Sequence, residues 1–131
     1  MDFTFPWPMS QGEWLAWSAA LVTLLIGLLT LFAPGIVLRA RRLQTRPDRP
    51  EAVAEIRATF AGFPLGAGLA AMLLAQPLLY LALGLAWSLS AFGRIVSMMS
   101  DRANTAYNWI ALVFELALAL ATLLYALGLV P

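Results

Sequence analysis

The sequence predicts an all-α integral membrane protein: a single domain over residues 1–131, built as a bundle of four membrane-spanning helices. Three observations predict it. Hydrophobic residues make up 62% of the chain and the mean hydropathy is +0.83, well beyond the range of soluble globular proteins. The apolar residues gather in four runs, each of about 20 residues, the length that crosses a ~30 Å hydrocarbon core at 1.5 Å per residue. All eight basic residues are arginines, and they fall in two loops and the helix ends that flank them.

The start, residues 1–12, is rich in proline and aromatics (Phe3, Phe5, Pro6, Trp7, Pro8) and carries only Asp2 as a charge. A secretory signal opens with a basic segment, so an uncleaved start is expected. The first helix is predicted over residues 14–33. Trp7, Trp14 and Trp17 suit an interfacial aromatic belt. Ala16, Ala20, Thr23, Gly27 and Thr30 share one face and read as a contact surface for other helices. Pro34-Gly35 should end the helix.

Residues 35–50 hold Arg39, Arg41, Arg42, Arg46 and Arg49 and are read as a cytoplasmic loop. The positive-inside rule accounts for these charges and is preferred here to a dedicated anionic-lipid or partner-docking patch. Nucleic acid is not an expected partner, because the loop is short and tethered to the bilayer.

The second helix is predicted over residues 51–76. Pro50 suits a first helical position, and Glu51 and Glu55 favour the positive end of the helix dipole. Glu55 and Arg57 stand at the membrane entrance, near Asp101 and Arg102 by topology, where they either extend a polar network with the later helices or simply mark the helix boundary. Behind them runs a ladder of small residues, Ala58, Gly62, Gly66 and Ala70, which reads as a seam for close helix packing. Pro64 interrupts this helix and frees a backbone carbonyl. Gln76-Pro77 then reads as a tight hairpin into a third helix over residues 77–99. Asn104 or Thr105 can cap a fourth helix over residues 106–128. With four spans, the two arginine-bearing loops share one side. The positive-inside rule then places both termini outside, in the periplasm, and the loops in the cytoplasm of a bacterial inner membrane.

The chain has neither cysteine nor histidine. Disulfides, thiolate metal sites and the usual neutral-pH general base are thereby excluded. No nucleophile has an adjacent base, and Gly66-Ala-Gly68 lacks the strand and third glycine of a nucleotide loop. No catalytic, cofactor-binding or metal-binding residue is predicted, and Met98 and Met99 read as packing residues. The polar residues inside the apolar runs are more telling. Trp87, Ser90, Arg94, Ser97 and Asp101 fall near one face of the third helix, and Asn108, Ala111, Glu115, Ala119 and Thr122 near one face of the fourth. Glu115 and Arg94 lie about 12 Å and 10 Å deep from the same side. An unpaired charge there would cost several kcal/mol. An Arg94–Glu115 ion pair is therefore expected, with Ser97 and Asn108 satisfying its spare groups and Asp101 closing the cluster. A structural pair that fixes helix register is preferred to a transport site, since no second deep carboxylate or lysine could complete a relay.

Glu-Ile-Arg-Ala-Thr-Phe-Ala-Gly from Glu55, Gly-Arg-Ile-Val-Ser from Gly93 with Asp101 following, and the glutamate of the last helix together resemble a bacterial membrane family. It is the domain-of-unknown-function family four-three-four-five, of four predicted helices. The resemblance covers nearly all of the chain after Trp14 and implies that Glu55, Arg57, Arg94, Ser97, Asp101 and Glu115 are the family's polar signature. Ala61-Gly62 stands where the family tends to have Gly-Gly. A more distant likeness joins it to the small DoxX-type four-helix proteins. The resemblance implies a fold and no chemistry.

The function expected from these features is that of a non-catalytic accessory, structural or assembly subunit of a larger membrane complex of respiratory or photosynthetic type. Its partners would be lipids and other integral membrane subunits, with no cofactor of its own. The alternative is a small carrier or a lipid- or quinone-binding protein that uses the Arg94–Glu115 cluster as its polar anchor.

Overall fold

Helices α1 (Gln11–Phe32), α2 (Pro34–Ala40), α3 (Glu51–Leu74), α4 (Pro77–Ser100) and α5 (Ala106–Ala126) follow one another in a computed structural model that describes residues 4–131. Met1, Asp2 and Phe3, the first part of the aromatic- and proline-rich start, lie outside the described residues. No strand occurs among the described residues. Helices α1, α3, α4 and α5 are each long and apolar enough to cross a membrane.

Local chemistry sets the ends of these helices. The Ser10 hydroxyl accepts from the Glu13 amide at 3.2 Å, so α1 begins three residues before the Trp14 start expected. Thr105 caps α5 in the same way, accepting from the Asn108 amide at 3.3 Å. Asn104, the other candidate cap, instead accepts from the Trp109 indole at 2.6 Å. Ala75 adopts a left-handed conformation (φ 49°) and stops α3 at Leu74, and Pro77 opens α4.

Residues 35–50 are not a loop throughout. Pro34 does end α1, but it also takes the first position of α2, where its missing N–H costs nothing. The short helix buries Pro34 and Val37 and leaves Arg39 and Arg41 exposed.

Helix α1 is central, packing against α3 on one side and α5 on the other, while α4 packs against α5. Ala16, Ala20, Thr23, Gly27 and Thr30 of α1 are all buried. The Thr23 and Thr30 hydroxyls donate to the carbonyls of Ala19 (2.8 Å) and Ile26 (2.7 Å), one turn back, so burying them leaves no donor unmet. Against α3 the approach is close enough to require glycine. A Cβ on Gly27 would stand 2.5 Å from the Leu65 amide nitrogen, and one on Gly68 would stand 2.7 Å from the Ala20 carbonyl oxygen. Gly84 of α4 meets Leu123 and Thr122 of α5 at similarly short range.

The seam expected on α3 is therefore on the wrong face. Ala61, Gly68, Ala71 and Met72 are buried, whereas Ala58, Gly62 and Gly66 are exposed and Ala70 is half-buried. A Cβ at Gly62 or Gly66 would meet nothing within 4 Å. Helix α3 carries small residues on two faces, and α1 covers the other one. The exposed ladder begins within a single π-helical turn, Ile56–Phe60, on the helix's entry side.

The buried core gathers at the end of the bundle that holds the hairpin between α3 and α4. There Ala16, Ala20, Ala71, Met72, Tyr80 and Leu83 pack together, with Phe5, Trp17 and Tyr125 against them. The Gly12 amide donates to the Pro131 carbonyl at 3.0 Å, fastening the end of the chain to the start of α1. At the opposite end, α2 follows α1, and residues of α1, α2, α4 and α5 line a groove.

Candidate functional site

The most buried charged group among the described residues is Glu115, with 4% of its side chain exposed. Both of its oxygens are engaged: Arg94 Nε donates to Oε1 and Ser90 Oγ to Oε2. Arg94 Nη1 then donates to Asn108 Oδ1 at 2.7 Å. Asn108 Nδ2 in turn donates to the Ala103 carbonyl at 2.8 Å, tying the network to the turn between α4 and α5. A guanidinium and a hydroxyl each donating to one oxygen offset the cost of burying the carboxyl group.

Arg94, Glu115 and Asn108 thus meet as the sequence suggests. Ser97 and Asp101 do not join them. The Ser97 hydroxyl donates to Asp101 Oδ2 at 2.8 Å, one turn along the same helix and exposed. Ser90 takes the place expected of Ser97. Its spacing of four from Arg94 puts it on the same face, which is the signal for it in the sequence. Glu55 and Arg57 also stand apart. The Glu55 carboxylate accepts from the Thr59 hydroxyl at 2.6 Å, and neither residue forms an ion pair among the described residues.

The network lines one wall of a groove of about 420 Å³, within the range of ~300–1,000 Å³ usual for small-molecule sites. Ile26 and Leu29 of α1, Val37 of α2 and Ile110 and Phe114 of α5 supply its apolar surface. Ser90, Arg94 and Glu115 supply its polar floor, and Arg41 and Tyr107 also line it. Trp87 forms part of the wall and is held in place by its indole N–H, which donates to Thr23 Oγ1 at 2.9 Å. Arg42, in a left-handed conformation (φ 58°), lies 5.2 Å from the centre of the Tyr107 ring, a cation–π contact that latches the end of α2 to the start of α5. Neither α2 nor Arg41 and Tyr107 was marked by the sequence as part of a site. Pro34 in a first helical position was the available signal for α2.

The net charge of this groove is positive. Arg94 and Glu115 neutralise each other, and no carboxylate among the described residues is paired with Arg41. No group of three or more His, Cys, Asp or Glu able to hold a metal ion occurs among the described residues. The groove is an apolar channel with a fixed polar end.

A family model described as "Domain of unknown function (DUF4345)" matches residues 12–126. Neither a curated protein nor a solved structure matches the chain.

Proposed function

The chain belongs to the DUF4345 family, and we propose that it is a membrane-embedded binding protein for a small amphipathic molecule. The observation that carries this reading is the placement of the Arg94–Glu115–Ser90 network on the floor of an otherwise apolar groove. A pair needed only to fix helix register would be served by being sealed between α4 and α5. Here Glu115 is sealed, but 27% of the Arg94 side chain remains exposed. The positive-inside rule supports a bacterial inner membrane with both termini in the periplasm, so that α2 and the groove lie at the cytoplasmic face.

Native mass spectrometry of the protein in mild detergent tests the reading. The chain should retain one small amphiphile, and Ala111→Phe, which fills the groove from α5, should lose it while keeping its thermal stability. Identical adducts on both proteins would place the bound molecule elsewhere.

A second reading, an accessory subunit of a larger membrane complex, is favoured by the open stripe of Ala58, Gly62, Gly66 and Ala67 on α3. Such stripes permit close approach of another helix, and α1 does not use this one. Gly62→Leu should then release a stoichiometric membrane partner without unfolding the chain. Unchanged co-purification after that substitution would remove the support.

A further inference from the structure

We propose that the groove takes a single-chain amphiphile with a carboxylate head, the head at Arg41 and Arg94 and the chain between α1 and α5. This rests on the binding reading above and adds the chemistry of the ligand.

The hydrogen-bonding inventory of the groove is lopsided. Both Glu115 oxygens are already used, by Arg94 and Ser90. The one carboxyl group on the floor is thus already matched to a cation, and no unpaired acid is left there for an ammonium head. Donors are in surplus. Arg94 commits Nε and Nη1 to Glu115 and Asn108, and its Nη2 has no partner among the described residues. Arg41 is unpaired among the described residues, and the Tyr107 hydroxyl makes no hydrogen bond among them. Three donor groups, two of them cationic, thus line a groove whose apolar walls include Ile26, Leu29, Val37, Ile110 and Phe114. A guanidinium presents its donors as a planar fork that fits a carboxylate. A neutral acceptor head would leave the Arg41 charge uncompensated, and a cationic head would be repelled by it. The volume, about 420 Å³, lies in the lower part of the small-molecule range and favours one chain over the two of a phospholipid.

Trp87 provides the readout, because of the five tryptophans it alone lines the groove. The full chain is reconstituted in phosphatidylcholine vesicles and titrated with brominated stearic acid at mildly alkaline pH, following quenching of tryptophan fluorescence. A saturable component is expected with the acid, absent with its methyl ester and lost in Trp87→Phe. Arg41→Gln should weaken it roughly tenfold or more, the loss of one charge-assisted hydrogen bond. Arg39→Gln, an equal change of charge at a residue that does not line the groove, should leave it unchanged. Equal saturation by acid and ester would overturn the carboxylate assignment while leaving amphiphile binding intact. Equal weakening by the Arg39 and Arg41 changes would reduce the effect to surface charge and overturn it too. Saturation by brominated phosphatidylglycerol at the same amounts would overturn the single-chain assignment. If neither acid nor ester shows a saturable component, the binding reading itself falls along with this inference.

Discussion

Arg94 on α4 and Glu115 on α5 form an ion pair whose two halves see different surroundings: 4% of the Glu115 side chain is exposed, against 27% of that of Arg94. Both line the groove, but the acid is almost wholly enclosed by protein while the base is more open to it. Removing one member is therefore not equivalent to removing the other.

Glu115→Ala should be the more damaging single change. It strands the Arg94 cation in an apolar setting and takes the acceptor from Ser90. Breaking a buried pair costs about 3–5 kcal/mol, and the partial exposure of Arg94 argues for the lower end. Arg94→Leu combined with Glu115→Leu should recover much of that loss, though not all, because Asn108 Oδ1 loses its donor. Thermal unfolding in detergent measures both variants. Wild-type stability in Glu115→Ala would mean that the pair contributes nothing to the fold.

The glycines of α3 should behave in opposite ways. At Gly68 an added Cβ would press on the Ala20 carbonyl and the Leu24 amide nitrogen, each at 2.7 Å. Gly68→Ala should therefore cost about 1–3 kcal/mol through overpacking. Gly66 has open space around it, so Gly66→Ala should be neutral or gain up to ~1 kcal/mol of helix propensity. Comparing the unfolding temperatures of the isolated chains decides this. Equal losses at the two sites would mean that α3 is rotated from the position described.

These two predictions also mark how far the sequence could be read. Four spans were legible because length and hydropathy are properties of the chain itself, and the meeting of Arg94 with Glu115 followed from equal depth in lipid. The choice of face on α3 was not legible. A small residue at every fourth position permits close approach without requiring it, and Ala61, Gly68 and Ala71 offered α1 a second small surface. Ser97 was assigned to the pair because it lies on the Arg94 face. Asp101, one turn on along the same helix, satisfies it first, whereas Ser90 has no acid at that spacing. The groove was least legible of all, since α2 supplies part of its lining, and Pro34 can signal either an end or a beginning.

The proposed orientation has a direct test. Residues around Thr45 lie between α2 and α3, and Pro131 lies beside Gly12 at the other end of the bundle. A reporter fused after Pro131 should be active only in the periplasm, and one inserted near Thr45 only in the cytoplasm. The reverse pattern would move the groove to the outer face.

The wall of the groove depends on the hydrogen bond from Trp87 Nε1 to Thr23 Oγ1, at 2.9 Å. The two partners are not equally dependent on it. The Thr23 hydroxyl also donates to the Ala19 carbonyl at 2.8 Å, so it remains satisfied when the indole is removed. The indole N–H has no other partner among the described residues. Thr23→Val should therefore leave a partly buried donor unmet, at a cost of about 1–3 kcal/mol. Trp87→Phe loses the donor along with the bond and should cost less through hydrogen bonding, its remaining penalty being lost packing. In the double mutant the Val change should add little to the Phe change, because the group it would strand is gone. Unfolding measurements on the two single mutants and the double mutant give that coupling directly. Strict additivity would show that the bond does not hold Trp87 in the wall.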